Sequence, residues 1–296
     1  MIKPTMQDRV LQTVLYGVLS IALIVVIYPL FFVIIASISD PVRVNTGEVW
    51  IVPLGLTLDG YGEIFTDDQI LRGYWNSVLY TVFGTLLNLV LTISCAYALS
   101  RRDMVGRNLI MGVLVFTMFF TGGLIPLFLL VRSLGLYDTF FIMILVMPNA
   151  VSVFNIVIAR TFFQSNIPQE LLEAASMDGC SDFRFLASVV IPISGAIIAV
   201  LMVFYAVSHW NAFFGALVFL KSESRYPLQL ILRGILLSHQ LADDMWVDDS
   251  DALKHQMLAE SIKYGVIVVA SIPVLVLYPF VQKHYVRGVM LGSIKG

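Results

Sequence analysis

Unbroken apolar runs, rather than apolar residues spaced at the period of a half-buried strand or helix, set the pattern of this chain. Uncharged stretches cover Leu11–Ser39, Tyr74–Ser100, Asn108–Val131, Thr139–Ala159, Phe185–Leu220 and Tyr264–Gln282. Crossing the hydrocarbon of a bilayer takes about 20 helical residues. The runs therefore predict six spanning helices, over about 11–39, 74–100, 108–131, 139–160, 185–208 and 264–282. The last is slightly short, and Lys263 and Lys283 beside it are placed to snorkel to the interfaces. The fifth run is too long for one crossing, so its tail, Trp210-Asn211-Ala212-Phe213-Phe214-Gly215, is read as a turn or re-entrant piece. Lys3 and Arg9 precede a first run longer than a signal-peptide core of about 7–15 residues, and no small-residue cleavage site follows. That run reads as a first span.

Composition sharpens this into an all-α membrane protein. Apolar residues make up 58% of the 296 positions and charged residues 13%, against about 25% charged in a soluble domain. A net charge of −2 gives no reason to expect nucleic acid as a partner. Cys95 and Cys180 lie far apart and suit neither a disulfide framework nor a zinc site. Arg101-Arg102-Asp103-Met104-Val105-Gly106-Arg107 is the most cationic short loop, whereas the loop after the third run holds only Arg132. By the positive-inside rule the former is cytoplasmic, which puts both termini and residues 160–184 inside as well. Prolines 29, 126, 148, 192, 273 and 279 fall within or beside spans. They predict kinks that shape a bundle, or broken helices that line a passage.

One polar stretch stands apart, Asn166-Ile167-Pro168-Gln169-Glu170-Leu171-Leu172-Glu173-Ala174-Ala175-Ser176-Met177-Asp178-Gly179-Cys180. Asn166 is a candidate cap, Pro168 suits a first turn, Glu170 suits the positive end of the helix dipole, and Gly179 supplies a left-handed stop. The result is a short helix over about 168–179, too short and polar to span. A helix lying on lipid should carry Lys or Arg on its polar face. This one carries Glu170, Glu173 and Asp178, so docking of a partner protein is the better reading.

Glu173-Ala174-Ala175-Ser176-Met177-Asp178-Gly179, followed by Ile191-Pro192, resembles the EAA signature of binding-protein-dependent ABC importer permeases. Trp210–Phe214, Pro227-Leu228-Gln229 and the tail Gly288–Gly296 are similar to the carbohydrate-uptake branch of that family. Thr121-Gly122-Gly123-Leu124-Ile125-Pro126 resembles its oligosaccharide subgroup, and the resemblance covers nearly the whole chain. Cys180 departs from the family's usual alanine. The resemblance implies a single permease domain over residues 1–296 with a type I importer fold, in a bacterial cytoplasmic membrane. It implies a second homologous permease, two copies of a cytoplasmic ATPase subunit, an extracytoplasmic solute-binding protein and a carbohydrate cargo. The short helix would be the coupling helix: Glu173 would touch the ATPase, Ala174 and Ala175 would allow close approach, and Asp178 and Gly179 would fix the turn. No phosphate-binding loop occurs in the sequence, so ATP and magnesium belong to the partner ATPase, and this chain needs no cofactor of its own.

Candidates for the substrate pathway are polar or aromatic residues inside apolar runs: Asn88, Asn149, Asn155, Tyr205, Trp210 and Asn211, with His209 beside them. The competing reading for each Asn is an interhelical hydrogen bond, and for Trp210 an interfacial anchor. The acidic segment Asp243–Asp251 reads as a solvated loop, with a metal site or a surface for the binding protein as alternatives. Two other function classes fit less well. An intramembrane enzyme needs a nucleophile–base pair or metal ligands at one depth, and no catalytic or metal constellation is expected from His209, His239, His255 and His284. A secondary transporter would want acidic residues within spans and often an inverted repeat. An ABC permease for a non-sugar solute stays open.

Overall fold

Hydrocarbon offers no water to backbone N–H and C=O groups, so an apolar chain crossing it is driven to pair them within helices. The computed structural model describes residues 6–148, 151–243 and 262–279, and among these every regular element is helical. Helix α1 (Met6–Ala36) is followed by two short helices, α2 (Pro41–Asn45) and α3 (Asp59–Thr66), and by the long α4 (Asp68–Ser100). Next come α5 (Arg107–Phe119), α6 (Leu124–Ser133), α7 (Phe140–Leu145), α8 (Val153–Asn166) and α9 (Gln169–Met177). The chain continues through α10 (Asp182–Phe185), a π-helical turn (Leu186–Val190), α11 (Ile191–Ile193) and α12 (Gly195–Trp210). Three further helices follow, α13 (Phe214–Phe219), α14 (Leu228–Asp243) and α15 (Ile262–Pro279).

Three of these helices, α1, α4 and α15, are each long and apolar enough to cross a membrane unbroken. Two more crossings arise if bent pairs count as one span each: α5 with α6, bent by 112°, and α10–α11 with α12, bent by 86°. The single helix expected over 108–131 is therefore corrected to two. The break falls at Gly122-Gly123, where Gly123 takes a φ of +84° and a ψ of 169°, a region closed to side-chain-bearing residues. The helix expected over 185–208 starts earlier, at Asp182, and breaks at Ser194, just after Pro192. The π turn sits where Pro192 would otherwise press its ring against the preceding turn. The fourth run divides into α7 and α8 around residues 146–152, part of which lies outside the described residues. Over Trp210–Gly215, where a turn or re-entrant piece is expected, the chain leaves α12 after Trp210, turns at Asn211 and enters α13 at Phe214.

The chain forms two units, one from Met1–Asp68 with Leu232–Ser271 and the other from Gln69–Ile231 with Ile272–Gly296. In the first, α1 keeps almost its whole length exposed and buries only Ile35 and Ala36, next to Val44 and Val49. Asp40 caps α2 through Val42 N–H, and the Ser37 and Tyr61 hydroxyls share a hydrogen bond of 2.8 Å. Phe32 meets the edge of Tyr264 at the start of α15.

The second unit is organised around α4. Leu89, Ile93, Ala96, Tyr97 and Leu99 pack with Ile156, Phe163, Phe185, Leu201 and Tyr205 at one end. At the other end Tyr80 packs with Val131, Ile142, Met143, Ala216 and Phe219. Close approach of α4 and α12 depends on Gly84, because a Cβ there would lie 2.2 Å from the His209 ring. Gly84→Ala is expected to cost about 1–3 kcal/mol through overpacking. A thermal melt of the purified protein in detergent checks this, and an unshifted midpoint contradicts it.

Candidate functional site: the α9 end of the bundle

Helix α9 is short because its ends are fixed on both sides. Asn166, expected as its N-cap, is instead the last residue of α8, where its amide donates to Phe162 O at 3.0 Å. Ile167 and Pro168 are extended, and Pro168 occupies the cap position without a side-chain bond. The reason is that Pro168 forces its predecessor out of helical geometry, which moves the start of α9 past Asn166. Glu170 lies in the first turn, as the dipole favours. At the other end Cys180 N–H reaches Ala175 O at 2.9 Å and Gly179 N–H reaches Ser176 O at 3.1 Å. These two bonds, with Gly179 at φ +71°, make a Schellman stop. Ser181 then caps α10, accepting from Arg184 N–H.

The two faces of α9 differ. Leu172, Ala175 and Cys180 are half-buried against the core of the second unit, which gives Cys180 an apolar packing role. Glu173, Ala174, Asp178 and Gly179 are exposed, and Met177 is 89% exposed. Gln169 holds the Glu173 carboxylate at 3.0 Å. Of the residues expected to meet a partner, Ala175 alone turns inward. An open cleft of about 1200 Å³ at this end is lined by Arg101 and Arg102 just after α4, by Arg107 at the start of α5, and by Glu170 and Glu173 from α9.

Sequence reasoning took Arg101 only as a topology marker and missed the cluster it forms. Its guanidinium donates to Asp103 (2.6 and 2.8 Å), to Asp182 (2.6 Å) and to the Tyr97 hydroxyl (3.0 Å). That fork holds the Asp103 carboxyl down at about 2. Arg160 on α8 donates to Leu99 O at 3.0 Å, and Arg107 to Arg101 O at 3.0 Å. The far end of the unit has its own knot at Asp138. Its carboxylate accepts from Lys221 N–H, Ser222 N–H and Ser222 O–H and pairs with Arg225. Burial acts to raise the Asp138 carboxyl, but the bonds from Ser222, Lys221 and Arg225 outweigh it and hold the group well below the usual carboxylate range.

The pathway candidates divide by burial. Asn88 is fully buried and its amide lies 3.1 Å from His209 Nε2. Thr92 and Tyr205 share a hydroxyl bond of 2.6 Å, and Ser152 N–H reaches the Tyr205 hydroxyl. Asn155 is buried in the first turn of α8, and Trp210 is buried edge-on to Tyr74. Asn211 is exposed and donates back to Val207 O. Asn149 lies outside the described residues, as do the acidic segment from Asp244 onward and the Gly288–Gly296 tail. Among the described residues no group of His, Cys, Asp and Glu has metal-binding geometry.

Comparison with known proteins gives this geometry a family. Residues 70–291 match the model of the binding-protein-dependent transport system inner membrane component. The polygalacturonan/rhamnogalacturonan transport system permease protein YtcP of Bacillus subtilis is 40% identical, across 98% of this chain and all of that one. Protein LplC of the same organism is 38% identical, across 92% of this chain and 90% of that one. The structure of a bacterial ABC transporter involved in the import of the acidic polysaccharide alginate contains a similar chain, with a TM-score of 0.85 and 33% identity across 96% of this chain and all of that one. The chain belongs to the binding-protein-dependent transport system inner membrane components and is a multi-pass ABC importer permease of the type I fold.

Proposed function

We propose that the chain is one of two permease halves of an ATP-driven importer for a carbohydrate, an oligosaccharide in particular. The observation that carries this is α9: a nine-residue helix with a fixed stop and an exposed face, in a chain otherwise built to cross a membrane. It acts as the coupling helix, with Glu173, Ala174, Asp178 and Gly179 presented to a cytoplasmic ATPase subunit and Ala175 seating the helix on its own bundle. Two such ATPase copies hydrolyse ATP with magnesium, a second homologous permease completes the passage, and an extracytoplasmic binding protein delivers the cargo. The chain itself catalyses nothing.

The grouping of loops supports an inward-facing α9. Arg101, Arg102, Arg107, Arg160 and Arg184 collect around it, three of them within seven residues, against Arg72, Arg132, Lys221 and Arg225 spread over the Asp138 end of the same unit. Positive charge on that scale marks the cytoplasmic side. With α7 and α8 counted as one interrupted crossing, this reading takes the chain as a six-span permease domain over 1–296 with both termini inside. Asn88, Tyr205 and His209 serve this design by holding helices together, and Asn155 is buried in the first turn of α8. Exposed Asn211 and the rim around Trp210 are the pathway candidates open to a passage between two permeases.

The cargo reading rests on relatives named for polygalacturonan/rhamnogalacturonan and for alginate, an acidic polysaccharide. Acidic oligosaccharides are therefore the first substrates to try. Cells lacking this chain are expected to lose uptake of labelled oligogalacturonide or oligoalginate fragments and to regain it with the wild-type gene. Undiminished uptake of every oligosaccharide tested, with loss of a non-sugar solute instead, overturns the carbohydrate assignment.

A Cβ added at Gly179 would meet nothing within 4 Å, so substitution there acts through backbone strain alone. A left-handed conformation costs a branched residue at least about 1–2 kcal/mol, while asparagine tolerates it. Gly179→Val and Glu173→Lys are expected to insert normally yet abolish ATP-coupled uptake, whereas Gly179→Asn keeps most of it. Uptake assays paired with membrane immunoblots read this out. Normal uptake by Gly179→Val or Glu173→Lys removes the coupling role.

A further inference from the structure

The chain enters and leaves α9 at two points, and both are tied to the same place, the last turn of α4. On the entering side, Arg160 of α8 donates to Leu99 O at 3.0 Å. On the leaving side, Asp182 at the start of α10 accepts from Arg101 at 2.6 Å. Arg101 is itself held rigidly, by Asp103 through two bonds and by the Tyr97 hydroxyl, with its own carbonyl taken by Arg107. Its side chain is 17% exposed although Asp182 is 73% exposed. Three arginines thus meet the negative end of the α4 dipole, where free carbonyls and partial charge favour cations.

The alternative routes for force differ in stiffness. Past α10 the chain passes through a π turn and bends by 86° before α12 begins, so a push on α9 is not carried straight along that helix. Helix α4 runs unbroken from Asp68 to Ser100 and grips α12 through Gly84 against His209, Asn88 to His209 and Thr92 to Tyr205. We propose that Arg101 is the positioning residue through which movement of α9 reaches α4, a strut that works with Arg160 to make α9 and the end of α4 one rigid lever. The proposal rests on the importer reading above. Arg101 touches neither cargo nor nucleotide; it acts by fixing Asp182 and the root of α9. Because the fork binds Asp103, Asp182 and Tyr97 at once, a lysine supplies the charge without the geometry.

The test uses the intact complex in proteoliposomes: this chain with its cognate permease, ATPase and binding protein. ATP hydrolysis is measured with and without cargo-loaded binding protein, alongside cargo uptake, for wild type, Arg101→Ala, Arg101→Lys, Asp182→Asn and, as a control at the opposite end, Arg132→Ala. Coupling energies between sites span about 5–150-fold, so Arg101→Ala is expected to lower cargo moved per ATP by about tenfold while basal hydrolysis stays within about twofold. Arg101→Lys and Asp182→Asn fall between, the ATPase stays bound in all of them, and Arg132→Ala behaves as wild type. The double variant Arg101→Ala, Asp182→Asn is expected to be no worse than Arg101→Ala, since the two residues act through one contact.

A wild-type ratio of cargo to ATP in Arg101→Ala overturns the strut. So does a proportional fall in yield, hydrolysis and uptake with the ratio unchanged, which would make Arg101 a staple of the fold. If Arg101→Ala does not accumulate, Asp182→Asn, a one-atom change on an exposed side chain, decides by the same ratio. If the wild-type complex moves cargo without ATP, the importer reading itself fails and takes the strut with it.

Discussion

An amide or carbonyl in hydrocarbon must find its partner within the protein, and breaks in a helix survive there only where other helices or a water-lined cavity cover them. The rest of the structure follows from where this chain obeys that constraint without interruption and where it does not. Helix α4 obeys it through every turn and becomes the element around which the second unit packs. The third and fifth runs break at Gly122-Gly123 and at Ser194, and each break bends the chain sharply. Long unbroken helices and sharp breaks thus occur side by side in one permease.

Polar groups are spent where those contacts lie. Asn88, Thr92, Tyr205 and His209 join α4 to α12 inside the unit, each such bond contributing about 0.6–2 kcal/mol. The charged knots sit at the two ends instead, Arg101 with Asp103 and Asp182 at one and Asp138 with Ser222 and Arg225 at the other. Exposed ion pairs contribute little to stability. Their value here is geometric, since one ties the start of α10 to the end of α4 and the other ties the loop after α6 to the loop after α13.

Much of this was legible beforehand. Uncharged run length located α1, α4 and α15, and composition alone excluded a soluble fold. The Glu173–Gly179 motif located α9 and its glycine stop, because a left-handed turn leaves a residue-type signature. Helix breaks were less legible. Apolar runs look alike whether straight or bent, so 108–131 read as one span although paired glycines divide it. Asn166 was misplaced because a capping residue and a helix-ending residue share the same polar character, and only Pro168 decides between them. The pathway candidates were chosen for polarity inside apolar runs, a signal that equally marks helix-to-helix bonds, which is where Asn88 and Tyr205 lie. The Arg101–Asp182 pair spans 81 positions and leaves no trace in local pattern.

The central claim is that α9 couples this permease to a separate ATPase. Affinity purification of the tagged chain in mild detergent tests it most directly, comparing wild type with the Glu173→Lys, Gly179→Val double variant. The expected result is a second permease and an ATPase with the wild type, and loss of the ATPase alone from the variant. A wild-type chain that purifies alone and moves solute into vesicles without ATP would contradict the claim.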